Sequence, residues 1–249
     1  MGLWSEDWEK RIEADNFRAN DQYLGCQYEY PFAAMLRWCE VNAPALLNEL
    51  HEDGSFGCVT QTIDGRVVSR DLLDSIAEIG FLAAFLFQDK PLAQTRILDI
   101  GAGYGRFAHR LCTLFPEAVC VCTDAIETSM AVCRDYLVRR GMTRAWTERP
   151  EHVGKVAPFD LAVNIHSWSE CTIPEIDGWL DKLVTLGVPR LFIVPHTPNL
   201  GSWSREKGGG QSESYRPNLH AHGYELVHEW GGPVCCPRSY YLFERRISP

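Results

Sequence analysis

The sequence predicts an α/β protein: a mostly parallel seven-stranded sheet with helices on both faces, a C-terminal antiparallel hairpin and a helical N-terminal extension. Three observations carry this. From residue 96 onward, apolar strand-like runs alternate with helical ones, the pattern of a parallel sheet covered on both sides. The run Arg96-Ile97-Leu98-Asp99-Ile100 stops in Gly101-Ala102-Gly103-Tyr104-Gly105 and continues as a helix, which puts the glycines in a strand-to-helix turn. Finally, the runs 224–230 and 239–245 have no helix between them, so they pair antiparallel.

Taken in order, residues 1–90 read as a helical extension or lid, and 91–249 as the α/β domain. Trp4, Trp8, Ile12 and Phe17 have helical spacing, and Tyr28, Tyr30, Phe32, Met35, Leu36 and Trp38 form a second cluster around Pro31. Gly, Thr and Asp between Gly54 and Gly65 suggest a loop or short hairpin. Ser69 is placed to cap a long apolar helix with Asp71 in its first turn, packing on the sheet or over a ligand pocket. Strands are expected at 96–100, 119–123, 144–147, 159–165 and 190–195, and helices at 105–115, 127–141 and 174–186. A polar loop containing Gly208-Gly209-Gly210 spans 197–222.

With 249 residues, 45% of them hydrophobic, the chain can bury one substantial core. A net charge of −9 argues against nucleic acid as a partner and favours small substrates. No apolar run approaches the roughly 18 residues of a membrane span, and the first residues carry no export signal, so a cytoplasmic location is expected. The ten cysteines are then reduced. Cys112, Cys120, Cys122 and Cys133 read as small core residues. Cys235-Cys236 and His220-x-His222 lack an accompanying CxxC, and no metal site is assigned.

Glycines in a strand-to-helix turn let a ligand approach the backbone and the free N–H groups of the helix. Asp124 ends the strand 119–123, twenty-three positions after Gly101. A carboxylate there suits two ribose hydroxyls, with capping of the next helix as the alternative. Leu98-Asp99-Ile100-Gly101-x-Gly103-x-Gly105, Asp124 and the terminal hairpin together resemble the class I S-adenosylmethionine-dependent methyltransferases over about 90–246. Three shorter blocks are similar to bacterial sugar O-methyltransferases: Ser69-Arg70-Asp71-Leu72-Leu73-Asp74-Ser75, Gly103-Tyr104-Gly105-Arg106, and Asp160-Leu161-Ala162-Val163-Asn164-x-His166-Ser167-x-x-Glu170.

The resemblance implies a Rossmann-like domain over 91–249 and S-adenosylmethionine as cofactor. Asp99, Gly101, Ala102, Gly103 and Gly105 would hold its methionine end, Asp124 its ribose, and Ile126 one face of its adenine. Glu148 is a weaker adenine-edge candidate. Asn164 and His166 end the fourth strand, where methyl group and acceptor meet. The activity implied is O-methylation of a small molecule, a sugar or glycosylated metabolite. Removal of the hydroxyl proton suits a histidine, either as base or as a hydrogen-bonded positioning group. His166 is the first choice, His196 the second, and Glu170 would orient a histidine or meet the substrate. Trp168, Trp203 and Tyr215 would stack on the acceptor, with His220 and His222 reaching it from the loop. A nicotinamide-dependent oxidoreductase is a rival, opposed by the Gly-x-Gly-x-Gly spacing and the terminal hairpin; a non-catalytic protein of the same fold is another.

Overall fold

A computed structural model describes residues 17–18, 30–85, 91–196, 199–202, 213–236 and 238–246. Helices α1 (Phe32–Asn42) and α2 (Pro44–Glu49) lead to a hairpin of β1 (Thr60–Ile63) and β2 (Arg66–Ser69). Its Asp64-Gly65 turn has positive φ at both positions, 50° and 81°, as a tight two-residue hairpin loop requires. Ser69 then caps α3 (Arg70–Phe85): its Oγ accepts from the Leu72 N–H at 3.0 Å. The expected N-cap is thus in place.

The central sheet follows: β3 (Arg96–Ile100), α4 (Arg106–Leu114), β4 (Val119–Thr123), α5 (Glu127–Arg139), β5 (Ala145–Thr147), β6 (Leu161–Ile165), α6 (Ile173–Thr185) and β7 (Arg190–Val194). A two-residue ribbon, β8 (Gly201–Ser202) with β9 (Glu213–Ser214), precedes α7 (Arg216–Ala221), β10 (Tyr224–Trp230) and β11 (Tyr240–Arg245). Spatial order is β10-β11-β7-β6-β3-β4-β5, and only β11 runs against the rest. The chain winds outward from β3 through β4 to β5, then crosses back to β6 on the other side of β3. The carboxyl ends of β3 and β6 therefore flank the switch point, where open α/β sheets bind ligands.

Both faces of the sheet are covered. Ile97, Cys120, Leu161 and Phe192 pack under α3, α4 and α5 in a core shared with residues from 30 to 82. Leu98, Ile100, Val121 and Ile193 pack under α6 and α7. Phe81 of α3 stacks on Phe192 at 5.5 Å between ring centroids, with Trp230 and Tyr240 close by.

The stretch 197–222, expected as one polar loop, contains the β8–β9 ribbon and α7 instead. Six residues burying only Leu219 are too few to show a helical period. Trp4, Trp8, Ile12, Tyr28, Trp203 and the Gly208–Gly210 run lie outside the described residues. Among those described, no helix is long and apolar enough to cross a membrane.

Replacing Phe81 with Ala should destabilise the chain by about 3–5 kcal/mol, the cost of emptying a large aromatic site in a packed core. Val41→Ala, at a side chain 78% exposed on α1, should change stability by less than about 0.5 kcal/mol. Urea unfolding of the two variants measures the contrast.

Candidate functional site

The turn after β3 folds as its glycines demand. The N–H groups of Gly101 and Ala102 both donate to the Thr123 carbonyl, at 2.8 and 3.2 Å, which pins the turn to the end of β4. Gly101 has φ +71°, and a Cβ there would lie 2.1 Å from Ser167 Oγ and 2.3 Å from its Cβ. At Gly103, φ is +57° but the space is open, so conformation rather than crowding selects glycine. Residues 101–104 are half-buried and line the approach to the turn.

Beneath it sits Asp99, only 2% exposed. Its Oδ2 has no hydrogen-bond partner among the described residues. Burial pushes the carboxyl up to about 7, against the pull of nearby Arg106, with Glu78 and Asp124 adding to the rise. A buried carboxylate without a donor is costly, and beside a half-open turn it suits a cationic ligand group.

Asp124 is braced by its own chain. Oδ1 accepts from the Ile126 N–H at 2.9 Å, and Oδ2 from Ser129 Oγ at 2.9 Å and the Gly103 N–H at 3.4 Å. The N-cap position of α5 is Ile126, so Asp124 stands just ahead of the helix. Burial holds its carboxyl above the ordinary range despite these bonds. Beyond it opens a cleft lined by Met130, Thr147, Glu148, Arg149 and His152. Ile126 is 43% exposed next to Asp124.

The three candidate proton-handling residues come together past β6 and β7. His166 has φ +71°, an outlier for a side chain of its size, and its N–H donates to the Val194 carbonyl at 2.7 Å. Its ring stacks on His196, with centroids 4.6 Å apart and planes at 19°. His196 Nε2 lies 3.2 Å from Glu170 Oε1. Burial lowers the His166 imidazole well below its usual pKa, and Arg238, His196, Arg106 and Arg70 lower it further.

Other expected residues sit differently. The Asn164 amide is fully engaged: Nδ2 donates to the Ile100 carbonyl and Ser167 Oγ, and Oδ1 accepts from the Trp168 N–H. It is a brace between strand ends. Trp168 and Tyr215 are wholly buried, edge to face at 5.9 Å, and present no ring face to an acceptor. His222 lies at the wrong end of the sheet. Tyr224, two residues on, pairs with Arg245, whose N–H bonds Pro189 ahead of β7, so His222 flanks the amino ends of the parallel strands. There it bonds the Asn218 carbonyl and Asp181.

The sequence reading missed a charged layer facing His166. Asp74 of α3 accepts from Tyr30 Oη at 2.8 Å and Arg70 Nε at 3.3 Å, and lies 2.8 Å from Arg238 Nη1. Burial opposes its ionisation, but Arg238, Arg70 and Arg106 outweigh that and hold its pKa down. Glu78, one turn further, takes a two-pronged contact from Arg106 at 2.7 and 3.1 Å; there burial wins and pushes the carboxyl up. Acids at 71, 74 and 78 on an otherwise apolar helix were the readable signal.

The strand order, the reversed last strand and the glycine turn at the switch point give this chain a fold similar to that of solved methyltransferase structures. Among solved structures, magnesium protoporphyrin IX methyltransferase from Synechocystis PCC 6803, with bound SAH, has a TM-score of 0.52 at 15% identity, covering 84% of this chain and 97% of that one. An O-methyltransferase family 2 protein from Planctomyces limnophilus, in complex with apigenin, gives 0.50 at 14%, covering 70% and 58%. The pyocyanin biosynthetic protein PhzM gives 0.52 at 14%, covering 70% and 56%, so this chain spans little more than half of these last two. No protein-family model matches the sequence, and no curated protein matches it.

Gly101→Ala should cost about 1–2 kcal/mol for the left-handed backbone alone, and more for the clash. Adding Ser167→Gly should recover part of the loss, whereas Ser167→Ala should not, because Ser167 Cβ itself lies 2.3 Å from the new methyl position. Thermal unfolding of the single and double variants reads the difference.

Proposed function

We propose that this chain is an S-adenosylmethionine-dependent O-methyltransferase acting on a small-molecule hydroxyl, on a sugar or glycosylated metabolite. The observation that carries the reading is a juxtaposition at the switch point. The orphaned Asp99 carboxylate lies under the glycine turn, and the His166, His196 and Glu170 group stands just beyond the neighbouring strand ends. The sugar acceptor is supported by the three short sequence blocks, and a polyhydroxylated small molecule by the apigenin held by the Planctomyces protein.

When bound, the cofactor supplies an electrophilic methyl group on a sulfonium. Asp99 takes its ammonium, and the 101–105 turn lets its methionine end approach the backbone. Asp124, with three acceptor sites occupied by its own chain, retains capacity for a ribose hydroxyl, and Ile126 covers an adenine face. His166 is neutral at pH 7, so it can accept the hydroxyl proton as the acceptor attacks. His196, oriented by Glu170, is the second choice. Within the N-terminal extension, α3 brings its charged layer to the His166 side of the site, and the enzyme works in the cytoplasm on small molecules rather than nucleic acid.

Incubation with labelled S-adenosylmethionine and a panel of sugars, nucleotide sugars and glycosides, with the methyl group located by mass spectrometry, tests the activity. Calorimetry with S-adenosylhomocysteine and NAD tests the cofactor; micromolar NAD binding without the former reverses the assignment.

Two finer outcomes follow from the site. The ammonium stabilises ionised Asp99, so binding below pH 7 releases a proton from a carboxyl whose free-site pKa is about 7. Affinity for S-adenosylhomocysteine should therefore climb as pH rises toward 7, by at most about tenfold per unit, then level off, and Asp99→Asn should flatten the climb. His166→Ala should lower turnover by about 10²–10⁴-fold with cofactor affinity retained. Because its pKa is depressed, the rising limb of the wild-type pH profile belongs below the ordinary histidine range, not near neutrality. Equal rates in wild type and variant, with a collapse in His196→Ala, would move the base to His196.

A further inference from the structure

The loop between β10 and β11 is built around Arg238. Its N–H donates to the Gly231 carbonyl at 2.9 Å, and at Gly232, with φ +72°, a Cβ would lie 2.9 Å from the Arg238 carbonyl oxygen. The turn therefore closes only over a glycine. Because Tyr241 of β11 pairs with Ile193 of β7, counting back along the two antiparallel strands sets Arg238 level with His196, past the carboxyl end of β7. The charge acts accordingly: of the charged groups near His166, Arg238 affects its imidazole most strongly.

Arg238 has a charged partner but not a full set of hydrogen bonds. Asp74 accepts from Tyr30 Oη on Oδ1 and from Arg70 Nε on Oδ2. Arg238 Nη1 stands 2.8 Å from the same Oδ2 but out of alignment, and it has no hydrogen-bond partner among the described residues. Tyr240, Cys236 and Tyr30, which also adjoin it, stay uncharged at neutral pH because burial raises their pKa values. An incompletely bonded guanidinium beside a candidate proton acceptor is a docking point for an oxyanion. The approach to it is open: the His196 and Glu170 side chains are 42% and 45% exposed, and the Arg238 side chain is 14% exposed.

Resting on the methyltransferase reading of this site, we propose that the acceptor is an acidic sugar derivative, whose carboxylate or phosphate pairs with the Arg238 guanidinium while its hydroxyl lies at His166. Arg106 does not compete for that role, since Glu78 already holds it through a two-pronged contact. Asp99, which also acts on Arg106, is committed to the cofactor's ammonium under the same reading. An acidic acceptor also removes a conflict at the base. Burial accounts for most of the low basicity of His166, and Arg238 adds to it. An oxyanion on Arg238 offsets that added field while the acceptor is in place, so the imidazole accepts a proton more readily in the complex than in the free protein.

Binding is measured without turnover, which separates it from methyl transfer. The full chain, with and without S-adenosylhomocysteine, is titrated calorimetrically with matched sugars: methyl glucuronoside against methyl glucoside, and glucose 6-phosphate against glucose. At least one acid should bind about 10–100-fold more tightly than its neutral partner, the scale of hydrogen bonds to a charged group, and the stronger arm tells carboxylate from phosphate. Arg238→Gln should remove the margin and Arg238→Lys keep part of it, while Arg37→Gln, at an exposed arginine of α1, keeps it whole. Circular dichroism checks folding. If Arg238→Gln is unfolded, protection of Arg238 from phenylglyoxal in the wild-type chain, by the acid and not by its neutral partner, replaces it. Equal affinities within both pairs overturn the inference, as does a margin that survives in folded Arg238→Gln. A variant that loses S-adenosylhomocysteine but not the acid overturns it too, by assigning Arg238 to the cofactor's carboxylate. Acid binding through Arg238 with no methyl transfer to any sugar upholds the anion site and overturns the reading of function; methyl transfer to neutral sugars without any acid preference does the reverse.

Discussion

The side-chain amide of Asn164 joins two strand ends into one piece. By donating to the Ile100 carbonyl and accepting from the Trp168 N–H, it fixes the turn after β6 against the turn after β3. Ser167 is thereby pressed onto Gly101 so closely that no side chain fits between them, and His166 is left in a backbone conformation it would not choose alone. An amide with every group satisfied in a buried setting is rigid, and removing it would expose several unpaired partners. The glycine turn and the histidine pair thus share one support. That is how a static scaffold holds the buried Asp99 carboxyl and the His166 ring in fixed relation.

The charged layer on α3 complements it from the other side. Glu78 and Arg106 are largely removed from water, and breaking such a pair by deleting one partner costs about 3–5 kcal/mol, because the remaining charge is stranded. Arg238 arrives from the loop after β10 and meets Asp74, so the last part of the sheet and the first long helix are joined across the site. Burial, reinforced by the positive groups around it, holds the His166 imidazole neutral, and the arginines hold the Asp74 pKa down. The surroundings of His166 are assembled from segments more than 150 residues apart in sequence.

The parts legible in the sequence were those governed by short-range rules. Apolar runs between turn residues marked β3, β4, β6 and β7, the glycine spacing marked the turn, and Ser69 marked the start of α3. The parts that were not legible depend on tertiary register. Nothing local to Trp168 or Tyr215 distinguishes a ring stacked against a neighbouring ring from one facing a ligand. His222 looked close to the site because it follows a long connection in the chain, yet α7 carries that connection to the amino ends of the parallel strands. Asn164, at the expected place, turned its amide inward. The pairing of Asp74 with Arg238, 164 positions apart, has no local signature.

One buried junction constrains how the chain can diverge. Glu52 is gripped by Arg18 through both carboxylate oxygens, by Arg110 at 2.8 Å and by Ser69 at 2.6 Å, with the side chains of Arg18 and Glu52 fully enclosed. Losing Glu52 would leave the Arg18 and Arg110 guanidiniums without their shared carboxylate where water does not reach, and losing Arg18 would strip Glu52 of its two-pronged partner. Positions 18, 52 and 110 are consequently expected to behave as one heritable unit: in descendants of this sequence they are retained together or replaced together by apolar residues, and chains with one member exchanged alone should be rare.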